Sequence, residues 1–219
     1  MFKKIKFLVI FLFLTACSGA SFECNPYEKF KPVLDKAMLQ CPTSHFNKSC
    51  SRHYGDFEGF SNKYFYYKGC DLVFHMCGDR NRSELRFEDE FYVSDEVNKT
   101  LEAIVKPIPQ TDEFTFLQLH GVHIGVNKPV LRAIIYKGKL KLFVFDGNNY
   151  IKKDLGKYTP HFMYFKIVAG YGMLYVYIDK KLEIKAPIDY PNKCYYKLGA
   201  YLQRNGCGDS EFNYINVNF

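Results

Sequence analysis

Tryptophan is absent, so any aromatic platform for a ligand falls to the 18 tyrosines and 21 phenylalanines of this 219-residue chain. That aromatic load favours strands over helices. No run of like charge is present, and none of the basic residues cluster as a nucleic-acid face requires. There is no serine or cysteine nucleophile motif, and no pair of isolated carboxylates of the kind glycoside hydrolysis uses. A zinc site is a poor reading of Cys70, His75 and Cys77, which lack paired short spacings and a fourth ligand. Internal repeats, low-complexity tracts and linkers are also missing, and the length suits one domain with a substantial core.

What is there begins with a leader. Lys3, Lys4 and Lys6 precede an apolar run, Phe7 to Leu14, that is too short to span a membrane as a mature helix. It ends in Leu14-Thr15-Ala16-Cys17, which resembles the bacterial lipobox, where the cysteine is lipidated. Ordinary cleavage after Ala20 is the competing reading. Residues 1–20 are therefore expected to be a lipoprotein signal peptide and anchor region. The protein is expected to be exported to the periplasm or outer membrane surface of a bacterium, touching the membrane only through the lipid on Cys17. Without the leader lysines, 27 basic face 23 acidic residues, a net +4. That mild excess is compatible with a polyanionic ligand and does not demand one.

With Cys17 lipidated, seven cysteines remain, so at least one stays unpaired within the chain. Cys41 and Cys50 flank a loop-like stretch and are expected to be able to close it. Cys70 with Cys77, and Cys194 with Cys207, are disfavoured because a strand would hold each pair apart.

Along the chain, Phe30, Val33, Leu34, Ala37 and Met38 recur at helical spacing and predict a short helix ending before Cys41-Pro42. The stretch Asn47 to Gly69 reads as loop with one strand at most, its Tyr64 to Tyr67 run a candidate groove lining. Ten strands follow from Leu72 onward, many bounded by turn signals such as Lys137-Gly138-Lys139 and Asp146-Gly147-Asn148-Asn149. A further short helix is expected at Val97, Leu101, Ile104 and Val105. This pattern predicts an all-β, antiparallel sandwich of jelly-roll type, with residues 21–70 as an N-terminal segment and 71–219 as the main body.

Three strands carry polar side chains on one face where a sandwich needs none. In Tyr195 to Gln203, the period of a strand puts Lys197, Gly199, Tyr201 and Gln203 on one side and Leu198, Ala200 and Leu202 on the other. Arg82, Glu84 and Arg86 share a face, as do Gln118 and His120. Arginines and an amide can neutralise a carboxylate. A histidine and a tyrosine offer proton transfer. Glu84 is expected to hold Arg82 and Arg86 by salt bridges. A reaction that needs a neutraliser, a base and an acid is β-elimination on a uronate polymer, where a weakly acidic C5 proton lies beside a carboxylate.

Arg82-Ser83-Glu84-Leu85-Arg86, Gln118-Leu119-His120 and Tyr195 to Gln203 resemble, in order, the three signature motifs of alginate lyases of polysaccharide lyase family 7. The resemblance covers about Asp71 to the C-terminus. It implies a jelly roll whose concave sheet forms the substrate cleft, with no metal or other cofactor. Carried over by motif position, Arg82, Gln118 and Arg86 would bind or neutralise the uronate carboxylate. His120 would be a base, or a neutralising partner where the tyrosine does both jobs. Tyr201 would be the acid, with Glu84, Lys197 and Gln203 among the substrate-binding residues. The implied partner is an anionic polyuronate, and the protein is expected to be a monomer that binds no nucleic acid. The chain departs from the pattern at Leu119, where isoleucine or valine is usual, and at Leu202, where asparagine is usual. The connection before Arg82 is short, which suggests an open cleft there. The competing reading is a carbohydrate-binding jelly roll without turnover.

Overall fold

The computed structural model describes residues 24–122 and 128–219. A helix, α1 (Pro26–Leu34), opens it, followed by β1 (Ala37–Gln40), β2 (Phe65–Lys68), β3 (Asp71–Cys77) and β4 (Arg82–Phe87). Then come β5 (Lys99–Gln110), β6 (Glu113–Gly121), β7 (Pro129–Tyr136), β8 (Lys139–Phe145) and β9 (Tyr150–Lys157). The last five are β10 (Met163–Gly170), β11 (Met173–Ile178), β12 (Lys181–Pro187), β13 (Cys194–Leu202) and β14 (Cys207–Asn218). They form two antiparallel seven-stranded sheets. The front sheet runs β1-β4-β13-β6-β7-β8-β9, and the back sheet runs β12-β11-β10-β5-β14-β3-β2.

Alternation builds the sandwich. On β10, Met163, Phe165, Ile167 and Ala169 are buried while Tyr164, Lys166 and Val168 are half-exposed, the pattern of a strand with one face in the core. Phe116 of the front sheet meets Phe165 of the back sheet edge-on, centroids 5.4 Å apart. Such a pair adds about 1 kcal/mol beyond the area it buries.

Two predicted helices change. The first stops at Leu34, and Ala37–Gln40 is the front sheet's edge strand, paired with β4. Ala37 and Leu39 fill the core with the period of a strand, and burial outweighs the helical spacing. The second does not form, because Val97 to Val105 leads into and occupies β5, between β10 and β14. Leu101, Ala103 and Val105 are buried alternately, whereas Val97 is 44% exposed. The apolar spacing satisfied both periods, and strand pairing on two sides decided between them. Pro107 and Pro109 lie beyond the last residue of β5 that pairs with β10, where no partner needs their missing N–H.

The segment before Asp71 is part of the sandwich, since β1 and β2 supply an edge strand to each sheet. Phe65 on β2 is core, and Tyr66 and Tyr67 belong with it to the back sheet, away from the polar face. β9 is not among the ten predicted strands; its exposed Lys, Tyr and Asp hide an edge strand paired with β8.

Cys77 bonds Cys207, its direct cross-strand partner in β3–β14, and Cys24 bonds Cys70. The expected Cys41–Cys50 bridge is absent; both are buried free thiols, as is Cys194. Ser51 closes that loop instead. Its hydroxyl donates to the Cys41 carbonyl at 2.9 Å and accepts from the backbone N–H groups of Cys41 and Asn47.

Candidate active site

The three polar strands are adjacent in the front sheet, with β13 between β4 and β6. Register sets their side chains in rows. Tyr195 faces His120; Lys197 faces Arg86 on one side and Gln118 on the other; Tyr201 faces Arg82. Directly opposed residues share a face, so the polar side chains converge on one surface.

Gly199 permits that convergence. Its φ is +140°, and a Cβ there would stand 2.2 Å from the Ser83 carbonyl oxygen and 2.7 Å from Glu84 Cα. The glycine therefore lets β4 approach β13; the room it gives belongs to a neighbouring strand rather than to a ligand. A bulge follows between Leu198 and Tyr201, where β13 carries one residue more than β6.

Beneath the surface lies a buried charge cluster. Glu84 is 0% exposed and Lys197 is 1% exposed. The Lys197 ammonium donates to Glu84 Oε2 at 2.5 Å, the Gln118 amide to Oε1 at 2.6 Å, and Arg82 Nη1 to Oε2 at 3.4 Å. Burial alone would push the Glu84 carboxyl up, but Lys197 and Arg82 together hold it below its ordinary value. Burial, opposed by Glu84 and helped by Arg82 and Arg86, pushes Lys197 down to about 8. Glu84 and Lys197 are thus a support under the cleft and not the substrate contacts the motifs suggested, because neither presents surface. Gln118, 1% exposed, is tied into the same cluster.

Arg86 is not held by Glu84, whose oxygens are occupied by Lys197, Gln118 and Arg82. It donates to the Tyr54 hydroxyl at 2.9 Å, pairs with Glu90, and lies 4.1 Å over the Tyr195 ring. Tyr195 stacks on His120, centroids 5.5 Å apart. His120 Nδ1 lies 2.8 Å from the Gly121 carbonyl, an arrangement that places the proton on Nδ1 and leaves Nε2 as the basic nitrogen.

At the other end of β13, the Arg82 guanidinium lies 4.2 Å over the Tyr201 ring. Arg82 keeps one buried N–H, at Nε, without an acceptor. Tyr201 opens onto a cleft of about 290 Å³ lined also by Arg80, Glu113, Gln203 and Arg204. Gln203 stands just past β13; its side-chain oxygen accepts from Arg132, which lies 3.4 Å from Glu113. The predicted residues therefore fall in one continuous face, with His120 at the Tyr195 end and Tyr201 at the opposite end. His123 and the leader with Cys17 lie outside the described residues.

Sequence reasoning missed Tyr195, Arg132, Tyr54 and Glu90. Tyr195 had a signal, since it shares parity with Lys197 two positions on. Arg132 had one too, as the single charge within Val130 to Ile135. Tyr54 and Glu90 had none, because only the fold brings them to Arg86.

No curated protein matches the chain. Among solved structures, the alginate lyase AlyC3 is 27% identical with a TM-score of 0.74, over 88% of this chain and 93% of that one. Its complex with dimannuronate is 26% identical with a TM-score of 0.74, over 90% and 94%. The fold is shared with alginate lyase A1-II', a member of polysaccharide lyase family 7, at 19% identity and a TM-score of 0.75, over 88% and 97%. The sequence model described as alginate lyase matches residues 33–219, reaching well before Asp71 and taking in all three polar strands. The chain belongs to the alginate lyase family of polysaccharide lyases.

Proposed function

We propose that the protein cleaves a 1,4-linked uronate polymer, alginate first among them, by β-elimination. The observation that carries this reading is Tyr201 held against Arg82 above the buried Glu84–Lys197 pair. A base removes the C5 proton, the electron pair forms the C4–C5 double bond, and the C4–O bond breaks. The acid then protonates the departing oxygen. Arg82 supplies positive charge for the carboxylate as negative charge builds beside C5, and Gln118 helps fix that arginine through Glu84. Tyr201 is the acid. His120, with Nε2 basic, is the base where the C5 proton lies on its side of the ring; Tyr201 serves as both where it does not. The dimannuronate bound by AlyC3 supports a uronate as ligand.

The test is to incubate the mature protein with alginate, polyglucuronate and other uronans and follow ultraviolet absorbance of the unsaturated product. Binding with no absorbance rise on any uronan would favour the binding-module reading.

The same proposal places the protein outside the cytoplasm, as a lipid-anchored monomer held at Cys17. Two disulfides, Cys24–Cys70 and Cys77–Cys207, support an oxidising compartment. Cys17→Ser should move the protein from the membrane to the soluble fraction, and an unchanged membrane share would sink the anchor.

A further inference from the structure

The polar face does not end at Gln118. In register, Gln118 faces Arg132 on β7, Arg132 faces Phe143 on β8, and Phe143 faces Lys152 on β9. These residues share the face of Tyr201 and His120, and the row runs on across three inter-strand spacings, about 14 Å. Arg132 and Lys152 flank the Phe143 ring at 5.5 and 5.9 Å. One row along, Phe145 and Tyr150 pair at 5.2 Å, with the Lys128 ammonium 4.6 and 5.4 Å from their rings. Tyr150 is 48% exposed.

The charges on these strands divide into two kinds. Lys139 and Lys141 both pair with Asp154, at 3.5 and 3.3 Å. Arg132 is engaged by Glu113 and Gln203. Lys152 is exposed and has no carboxylate partner among the described residues, and the same holds for Lys128. An unpaired ammonium beside an aromatic ring, repeated on the next row, suits a ligand that alternates a carboxylate with a sugar face.

We propose that β7 to β9 form a distal subsite for a uronate unit of the polysaccharide being cleaved. Phe143 is the platform for the sugar ring, and Lys152 is the partner of its carboxylate. This rests on the uronan reading above and extends it: the polymer lies across the strands, from Tyr201 and Arg82 toward the β9 edge. A short oligomer cannot reach both ends.

The experiment compares Lys152→Glu and Phe143→Leu with the unaltered protein on polymeric alginate and on a uronate trisaccharide. Binding of the polymer is measured alongside. Lys185→Glu, on β12 of the back sheet, is the control for net charge. Lys152→Glu should raise the polymer KM about three- to tenfold, with kcat held and the effect shrinking at high salt. The ratio of kcat/KM on polymer to that on trisaccharide should fall accordingly. An unchanged polymer KM in Lys152→Glu, with the unaltered protein active, overturns the subsite and leaves the lyase reading standing. An equal rise in Lys185→Glu also overturns it. If the unaltered protein neither binds nor cleaves any uronan, the subsite falls together with the lyase reading.

Discussion

The outer face of the back sheet and the centre of the front sheet use the same ionic chemistry in opposite ways. On the outer face of the back sheet, Lys166 meets Glu102 at 2.9 Å with the lysine 40% and the glutamate 19% exposed. On the front sheet, Glu84 and Lys197 meet at 2.5 Å with neither presenting surface. An exposed pair contributes about 0–1 kcal/mol and is cheap to keep. A buried pair must repay the desolvation of both ions, and an apolar replacement of equal volume is often as stable. Stability alone therefore does not account for the front-sheet cluster. Its geometry does, because it fixes Arg82 against Tyr201 and Gln118 beside them.

The strongest way to sharpen that contrast is Tyr201→Phe. Turnover should fall between about a hundredfold and ten-thousandfold while polymer binding is kept, as for loss of a proton-transfer group. Tyr175→Phe, on the back sheet, should leave kcat alone. Full activity in Tyr201→Phe would show that the acid lies elsewhere.

Next in size is the ion pair itself. Glu84→Gln leaves Lys197 buried without a counter-ion and should cost about 3–5 kcal/mol in urea unfolding. Glu102→Gln should cost less than about 1 kcal/mol. Glu84→Gln combined with Lys197→Met should recover much of the stability but not the activity. Equal costs for the two single variants would erase the distinction between the sheets.

The smallest effect is in pH. The Glu84 carboxyl is held below its ordinary value, so its contribution to stability is complete above about pH 4.3 and is lost as pH falls through the folded value. Lys197 sheds its proton at about 8 in the folded protein, against about 10.4 unfolded. Between those values the unfolded chain holds a proton that the folded one lacks, so the lysine makes stability rise with pH. Activity should fall as pH rises through about 8, as Glu84 loses its ammonium. Lys197→Arg cannot shed the proton and should carry the alkaline limb of kcat to higher pH. An alkaline limb that stays put would remove Lys197 as its cause.

Much of this was legible in the residues. The alternation of Tyr195 to Gln203 and of Arg82 to Arg86 marked two strands with a polar face, and the fold put them side by side. What could not be read was depth. Alternation tells which face a side chain shares, not how far its neighbours cover it, so Glu84 and Lys197 looked like surface groups. Nor does it give partners from distant segments, as Tyr54 and Glu90 are for Arg86. β5 was missed because Leu101 and Val105 fit both periods, and β9 because an edge strand in solvent has no apolar stripe. The cysteines followed the same limit: the excluded pairs were excluded correctly, but Cys77 with Cys207 depends on a register that only the folded sheet contains.

The bulges have a consequence for how this groove can change. β13 holds one residue more than β6 near Gly199, and β6 holds one more than β7 between Thr115 and Leu117. Extra residues at neighbouring positions bend a sheet through its main chain. The contour of the groove is then written in residue count and in one glycine, while its preference for a ligand is written in side chains such as Phe143 and Lys152. These two records can be edited separately. A library confined to the outward positions of β7, β8 and β9 would retune what the groove accepts without flattening it, whereas a single methyl at Gly199 would disturb the contour before any sugar arrived.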